Sequence, residues 1–222
     1  MSKHIKIFFI LGILGSIIAW VLLWQAKLVK NTNTSSISSN TVVENNESTS
    51  SFIEQLRQRE FKGGEITIGE TLSRERNYTG YIFSYPSDGL KIYGMMNIPN
   101  GTGPFPVVVL NHGYFNQSSF TSGDGTQSMA AILAANGYIT VASDYRGFGK
   151  SQDDGKGSRG HRPEYAIDVL NLIASVGSID KADPETIGMW GHSMGGEVGL
   201  RVAETTDTLK AIVLWAPTSA RA

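Results

Sequence analysis

A single serine is surrounded by glycines in the stretch Gly-Met-Trp-Gly-His-Ser-Met-Gly-Gly-Glu, residues 188–197. The apolar residues 186–191 predict a strand that leads into this stretch, and residues 194–204 predict a helix that leaves it. A turn from a strand directly into a helix is typical of a sheet that is covered by helices. The stretch therefore favours the α/β class and places Ser193 at the end of a strand.

The glycines around Ser193 have a steric explanation. A sharp strand-to-helix turn leaves no space for side chains at its flanks, and Gly191 and Gly195 remove that obstruction. Gly196 lets the following helix pack closely. Ser193 then projects above the sheet at a helix N-terminus, where the helix dipole favours negative charge. This arrangement is a nucleophile elbow, and Ser193 is its candidate catalytic nucleophile.

The rest of the chain from Tyr78 onward alternates between strand and helix patterns. Alternating apolar residues on both sides of 86–89 predict a β-hairpin. The continuous apolar run at 106–113 predicts a strand buried on both faces. We therefore expect an α/β fold with a mostly parallel sheet and helices on both faces. The further predicted strands are 138–144, 186–191 and 210–217, and the predicted helices are 128–137, 163–177 and 194–204.

The loop after the first buried strand reads Asn-His-Gly-Tyr, residues 111–114. An elbow serine needs two backbone N–H groups that point at the oxyanion formed during the reaction. Met194, directly after the serine, is one expected donor, and Tyr114 is the best candidate for the other. His112 is interpreted as a residue that shapes this loop together with Gly113, rather than as the general base. His192 is expected to point away from Ser193.

Other polar residues of this region have structural interpretations. Asp144 and Arg146 are expected to brace the loop that follows the strand 138–144, in preference to a role for Asp144 as a triad acid. His161 is expected at the surface. The stretch Asp-Asp-Gly-Lys-Gly at 153–157 lacks the spacing of a calcium or phosphate loop and is interpreted as a solvated turn. We therefore predict no metal site and no cofactor.

The N-terminal part of the chain predicts a membrane anchor. Residues 7–24 carry no charge and match the length of a transmembrane helix, after a short segment at 1–6. A cleaved signal peptide is the alternative, but Trp24 fits poorly at a cleavage site. Residues 25–51, rich in Ser, Thr and Asn, predict a flexible linker. Residues 52–76 form an N-terminal extension of the globular part, and 52–61 could form a short amphipathic helix.

Composition excludes several classes of protein. The 222 residues carry a net charge of -1, which gives no argument for nucleic-acid binding. The absence of cysteine excludes disulfides, cysteine-based zinc sites and a cysteine nucleophile. The expected partners are the membrane, through the N-terminal helix, and a peptide or ester substrate. We expect a single-pass protein with its globular domain on the extracytoplasmic side, while its oligomeric state is not predicted.

Three stretches resemble the α/β-hydrolase superfamily: PFPVVVLNHGY at 104–114, DYRGFGKSQ at 144–152 and DPETIGMWGHSMGGE at 183–197. They are most similar to the prolyl-oligopeptidase-type catalytic domain and its dienelactone-hydrolase-like relatives. The GHSMGG motif alone would equally suit monoglyceride-lipase-like esterases. The resemblance covers about residues 77–217. It implies an α/β-hydrolase fold, here with its last strands missing. It also implies a serine hydrolase, either a serine-type peptidase or an esterase, that transfers an acyl group to water.

The resemblance covers only the first part of such a domain. Elbow enzymes order their triad as serine, then acid, then histidine. The four histidines of this chain all precede Ser193, and Asp207, the only aspartate after it, precedes the last predicted strand. We therefore interpret 77–222 as a partial hydrolase domain and expect the triad acid and base beyond Ala222. The alternative is a non-catalytic, membrane-tethered binding module that has kept the fold.

Overall fold

The computed structural model describes residues 52–155 and 163–218. The predicted membrane helix at 7–24, the predicted linker and His161 lie outside these residues. Within the two described ranges, no helix is both long enough and apolar enough to cross a membrane.

The described chain forms seven strands and four α-helices, in the alternating order that the sequence predicts from Tyr78 onward. Strand β6 begins several residues before its predicted start at 186. The strands are β1 (Thr67–Arg74), β2 (Tyr78–Ser87), β3 (Leu90–Pro99), β4 (Phe105–Asn111), β5 (Ile139–Ser143), β6 (Ala182–His192) and β7 (Leu209–Trp215), and the helices are α1 (52–57), α2 (Gln127–Ala135), α3 (Glu164–Ser175) and α4 (Met194–Thr205).

The predicted hairpin is present as strands β2 and β3. Ser87 pairs with Leu90, so Asp88 and Gly89 form a two-residue turn. Both turn residues have positive φ, 51° at Asp88 and 79° at Gly89. Two positive φ values in succession give the mirror-image turn whose twist matches that of the flanking strands.

The strands form one sheet in the order β1-β2-β3-β5-β4-β6-β7. Strands β5, β4, β6 and β7 run parallel, whereas β1, β2 and β3 add to the sheet by antiparallel pairing. The sheet is therefore mixed, and the prediction that it is mostly parallel is wrong. Three of the six pairings are antiparallel because a three-stranded meander precedes the first strand–helix unit. Strand β1 was not predicted, since almost all of its residues are exposed and it lacks the pattern of a half-buried strand.

Helices cover both faces of the sheet, as predicted. Val107 and Val109 of β4 pack in the larger apolar core, which includes the buried residues of α3 and α4. Leu110 of β4 packs with Ala130 of α2 in a smaller cluster on the opposite face. Strand β4 is apolar on both faces because it lies between two layers of helices.

The N-terminal extension is part of this core. Ile53 and Leu56 of α1 are buried in the larger cluster. The Arg57 side chain donates from Nε to the carbonyl oxygen of Glu204, at 2.7 Å. That carbonyl is in the last turn of α4, where carbonyl groups have no N–H donor within the helix. Residues 52–57 therefore help to close the C-terminal end of the helix that follows Ser193.

Candidate active site

The candidate site lies at the carboxyl edge of the parallel strands. Strands β5, β4, β6 and β7 are neighbours in this order, so the loops after their carboxyl ends are adjacent. In open α/β sheets, functional groups collect at this edge. The structure therefore brings together the loop after β4, the turn after β6 and the loop after β7.

Ser193 occupies the turn between β6 and α4 with an unusual backbone conformation. Its φ is 55° and its ψ is -121°. A positive φ is uncommon for a residue with a side chain, and it persists only where the surroundings hold it. Here the Ser193 N–H donates to the Trp215 carbonyl oxygen at 3.0 Å, and its carbonyl oxygen accepts from Gly196 N at 2.9 Å and Thr218 N at 3.2 Å. The serine side chain is half-buried at the surface of the turn.

The glycines around Ser193 lie where a side chain would collide with backbone. A Cβ on Gly191 would lie 2.4 Å from the Gly195 carbonyl oxygen. A Cβ on Gly195 would lie 2.1 Å from the carbonyl oxygen of Asn111, at the end of β4. A Cβ on Gly196 would lie 2.8 Å from Cβ of Pro217. The turn therefore packs directly on the ends of both neighbouring strands.

The loop after β4 passes close to the serine. A Cβ on Gly113 would lie 3.3 Å from the Ser193 Cβ. Tyr114 follows immediately, with its side chain 60% exposed. Met194 is buried and is the first residue of α4, where N–H groups have no acceptor within the helix. The residues that sequence analysis names for the oxyanion site, Tyr114 and Met194, thus lie on the two elements that border Ser193.

His112 lies under this loop and has a structural environment. Its side chain is buried and is surrounded by the rings of Phe115, Phe120, Tyr145 and Phe148. Nδ1 lies 2.7 Å from the carbonyl oxygen of Gly113, and Nε2 lies 3.2 Å from that of Asp144. Burial lowers the pKa of the imidazole from 6.5 to about 4, so the ring is neutral at pH 7. These contacts agree with the loop-shaping interpretation.

His192 is adjacent to Ser193 in sequence but belongs to strand β6. Its ring stacks along that of Trp190, two residues earlier, with the ring centroids 6.4 Å apart and the planes at 21°. Residues two apart in a strand share one face of the sheet. The imidazole therefore packs along the sheet face, and its Nδ1 would lie 3.6 Å from a Cβ on Gly113, in the loop that also borders Ser193. That the His192 side chain points away from the serine stays a prediction.

Asp144 and Arg146 both brace the loop after β5, and each side chain has its own partners. The Arg146 guanidinium is buried and donates to both carboxylate oxygens of Asp168, with a shortest distance of 2.7 Å, and to Asp154 at 3.2 Å. The Asp144 carboxylate accepts from the Ser122 hydroxyl. Burial raises the pKa of the Asp144 carboxyl from 3.8 to about 7.

Asp168 and Ser122 are the partners that sequence analysis missed. Asp168 is fully buried in α3, on a helix whose neighbouring residues are apolar. A carboxylate in such a helix needs a cation or several donors, and this requirement is the signal that could have indicated a pairing with Arg146. Ser122 has no such signal, because it lies in a polar loop. Across the described ranges, no group of three or more His, Asp or Glu side chains is arranged to hold a metal ion.

A family model described as serine aminopeptidase, S33, matches residues 102–221, which is more than half of the chain. The chain belongs to this family of α/β hydrolases. The predicted α/β-hydrolase superfamily is therefore confirmed, while the finer resemblance to the prolyl-oligopeptidase branch stays a prediction.

This S33 family member aligns with only part of the length of its curated relatives. An uncharacterized 31.7 kDa protein in the traX-finO intergenic region of Escherichia coli is 28% identical over 127 residues, which is 57% of this chain and 42% of that protein. The quorum-quenching protein AidA of Acinetobacter baumannii (strain MDR-ZJ06) is 27% identical over 145 residues, 60% of this chain and 42% of that protein. The chain thus spans about two fifths of these relatives.

A solved structure shows the same fold. The acetyl xylan esterase from Paenibacillus sp. R4 aligns with a TM-score of 0.55 and 20% identity. The alignment covers 80% of this S33 family chain and 62% of the esterase. This likeness supports the α/β-hydrolase fold derived from the sheet order and the elbow.

Proposed function

We propose that this protein is a serine hydrolase in which Ser193 attacks the carbonyl carbon of a peptide or ester substrate. The observation that carries the proposal is the backbone of Ser193, held at a φ of 55° between a parallel strand and a helix. Strained backbone conformations are unfavourable by themselves and persist only where the surrounding structure holds them, and they cluster at functional sites. A purely structural turn does not need a serine at this position, whereas a nucleophile elbow needs a residue that can attack a carbonyl carbon.

The oxyanion of the tetrahedral intermediate would be bound by two backbone N–H groups. Met194 offers the first free N–H of α4, and the loop at Gly113 and Tyr114 borders the serine from β4. The positive end of the helix dipole adds to this binding of negative charge. Each such donor lowers the barrier by about 3 kcal/mol in related sites.

The general base would come from outside the described residues. His112 has both ring nitrogens at carbonyl oxygens and a lowered pKa, and the His192 ring packs on Trp190. A base must reach the serine hydroxyl with a free ring nitrogen. We propose that the histidine and its acid are supplied by a part of the intact protein that follows Ala222; the support is that this chain spans about two fifths of its curated relatives.

A peptide substrate is the first candidate, because the matching family is named for serine aminopeptidases. An ester is the second, supported by the acetyl xylan esterase that shares the fold. The two are separated by assaying the intact protein on an aminoacyl p-nitroanilide and a p-nitrophenyl ester side by side. The preferred class is the one with the higher kcat/KM.

A fluorophosphonate probe tests the nucleophile. We expect covalent labelling of the intact protein at Ser193, loss of labelling in Ser193→Ala, and normal labelling in Ser119→Ala, a control at an exposed serine. Labelling that survives Ser193→Ala would overturn the assignment. A folded intact protein that is never labelled would instead favour a non-catalytic binding module.

We further propose that residues 7–24 tether the protein to a membrane, with the hydrolase domain on the extracytoplasmic side. The support is the uncharged length of this segment in the sequence. After cell fractionation, the protein should remain in the membrane pellet through an alkaline carbonate wash. A variant that lacks residues 1–30 should appear in the soluble fraction. Recovery of the unchanged protein in that fraction contradicts the tether.

A further inference from the structure

The end of β7 at Trp215 and the loop that follows it, residues 216–218, lie directly against the nucleophile elbow; they are called the β7 loop below. The Ser193 N–H donates to the carbonyl oxygen of Trp215 at 3.0 Å, and the Thr218 N–H donates to the Ser193 carbonyl oxygen at 3.2 Å. Both backbone polar groups of the serine are therefore bonded to this loop. The conformation of Ser193 depends on where the β7 loop lies.

The β7 loop is itself strained. Ala216 has a φ of 44°, which is uncommon for a residue with a Cβ. A conformation of this kind is unfavourable by itself and persists only when surrounding contacts fix it. Two contacts are available: Pro217, which packs on Gly196, and the side chain of Thr218.

The partner of the Thr218 side chain is Glu197, one helical turn after Ser193. Its carboxylate is almost fully buried, and Oε2 accepts from the Thr218 hydroxyl at 3.0 Å. Oε1 pairs with Arg201, one further turn along α4. Burial of a carboxylate is unfavourable unless it is paired, so Glu197 needs both partners.

The pairing with Arg201 also protects the oxyanion site. An isolated carboxylate in the first turn of α4 would oppose a second negative charge at the same helix end, where the dipole favours anions. Arg201 offsets the charge of Glu197. The carboxylate can thus bind the β7 loop without weakening the binding of an oxyanion beside Ser193.

We propose that Glu197 is a positioning residue for the Ser193 nucleophile: through Thr218 it holds the β7 loop, and with it the backbone of Ser193. This inference rests on the proposed function, because only a catalytic serine gives the position a chemical role. The Glu197–Thr218–Ser193 linkage itself does not depend on the reaction.

Two substitutions at one position test the inference. Thr218→Val keeps the shape of the side chain and removes its hydroxyl, whereas Thr218→Ser keeps the hydroxyl. In the intact protein, the second-order rate constant for fluorophosphonate labelling of Ser193 should fall about tenfold in Thr218→Val, the typical effect of losing a hydrogen bond to a charged group. Thr218→Ser should restore the rate to within about twofold of the wild type, because the donor is retained. Rates are measured well below the Tm of every variant.

A purely structural role predicts a lower Tm in Thr218→Val but an unchanged labelling rate in the folded protein, and this result would overturn the inference. If Thr218→Val does not fold, Glu197→Gln is measured in its place. Amide hydrogen exchange at Ser193 and Thr218 gives a readout without activity, and it should accelerate in Thr218→Val and recover in Thr218→Ser. If the wild-type protein is not labelled but amide exchange still accelerates in Thr218→Val, the proposed function is refuted and the linkage is retained. Unchanged exchange refutes the linkage.

Discussion

The His112 Nε2 atom lies 3.2 Å from the carbonyl oxygen of Asp144, a residue 32 positions later in the chain. His112 lies two residues before the candidate oxyanion residue Tyr114, so this contact places the loop after β4 against the loop after β5. The ring is neutral because burial lowers its pKa to about 4. A histidine near the candidate nucleophile therefore acts as a packing residue.

The titration of His112 follows from this burial. Its pKa is lowered in the folded protein, so between pH 6.5 and about 4 the unfolded chain binds a proton that the folded chain does not. The contribution of His112 to stability is complete above pH 6.5 and is lost as the pH falls towards 4. In an NMR titration, the His112 ring signals should have a midpoint near pH 4. A midpoint near pH 6.5 would show that the ring is solvated.

Asp144 should give the opposite pH dependence. Because burial raises its pKa to about 7, the folded protein binds a proton between pH 3.8 and 7 that the unfolded chain does not. The wild type loses stability as the pH rises through this window. The free energy of unfolding of Asp144→Asn, relative to the wild type, should rise by on the order of 1 kcal/mol per pH unit between pH 3.8 and about 7. Above pH 7 this difference should stay constant.

Urea unfolding at pH 5 and pH 8 measures this difference for Asp144→Asn. Asp180→Asn is the matched control, because Asp180 is exposed. A stability difference for Asp144→Asn that is the same at both pH values would show that the carboxyl group is not desolvated as described.

The oxyanion proposal separates the backbone of Tyr114 from its side chain. The side chain is exposed, so Tyr114→Ala should change kcat by less than about threefold, as for a surface substitution. Tyr114→Pro removes the N–H and should lower kcat by about 10²- to 10³-fold. Circular dichroism and the Tm establish that both variants are folded. Equal activity in the two variants would remove Tyr114 from the oxyanion site.

The close packing of Gly195 on β4 predicts a large effect on stability. A Cβ at this position would lie 2.1 Å from the Asn111 carbonyl oxygen, a backbone atom that cannot move aside cheaply. Gly195→Ala should lower the free energy of unfolding by about 3 kcal/mol or prevent folding. At Gly177, the nearest atom to a Cβ is 4.0 Å away, so Gly177→Ala should change stability by less than about 0.5 kcal/mol. Similar unfolding midpoints for the two variants would contradict the packing of the elbow.

The buried pair of Arg146 and Asp168 predicts a second stability effect. Asp168→Asn would leave a buried guanidinium with only Asp154 as its acidic partner among the contacts described above. Removal of one member of a buried pair costs about 3–5 kcal/mol. Glu60→Gln alters an exposed pair with Lys62 and should have almost no effect. If Asp168→Asn unfolds at the same urea concentration as Glu60→Gln, the pair does not stabilise the loop after β5.

Local patterns explain how much of the fold could be predicted. The apolar run of β4 and the helical face of α3 are each set by neighbouring residues, and so is the turn at Asp88 and Gly89. Strand β1 escaped prediction because it is an exposed strand whose order depends on pairing with β2. Local patterns also led to the overestimate of parallel pairing, since they do not show which strands become neighbours.

The candidate site divides along the same line. Ser193 and its glycines lie in one continuous stretch whose sterics can be worked out from sequence. The contacts of Arg146 with Asp168 and of Glu197 with Thr218 join residues 22 and 21 positions apart, on separate elements. Such pairs depend on how α3 and the β7 loop pack, and sequence analysis therefore identified the bracing role of Arg146 without its partner.

Helix α1 sets a practical limit on where the protein can be shortened. The resemblance suggests a hydrolase domain that starts near residue 77, yet Ile53 and Leu56 fill part of its apolar core and Arg57 caps the helix after Ser193. Expression of a fragment that begins at 77 would expose that core and delete β1. A crystallisation or screening fragment should therefore begin no later than residue 52, and protease cleavage within 52–61 should destabilise the helix that follows Ser193.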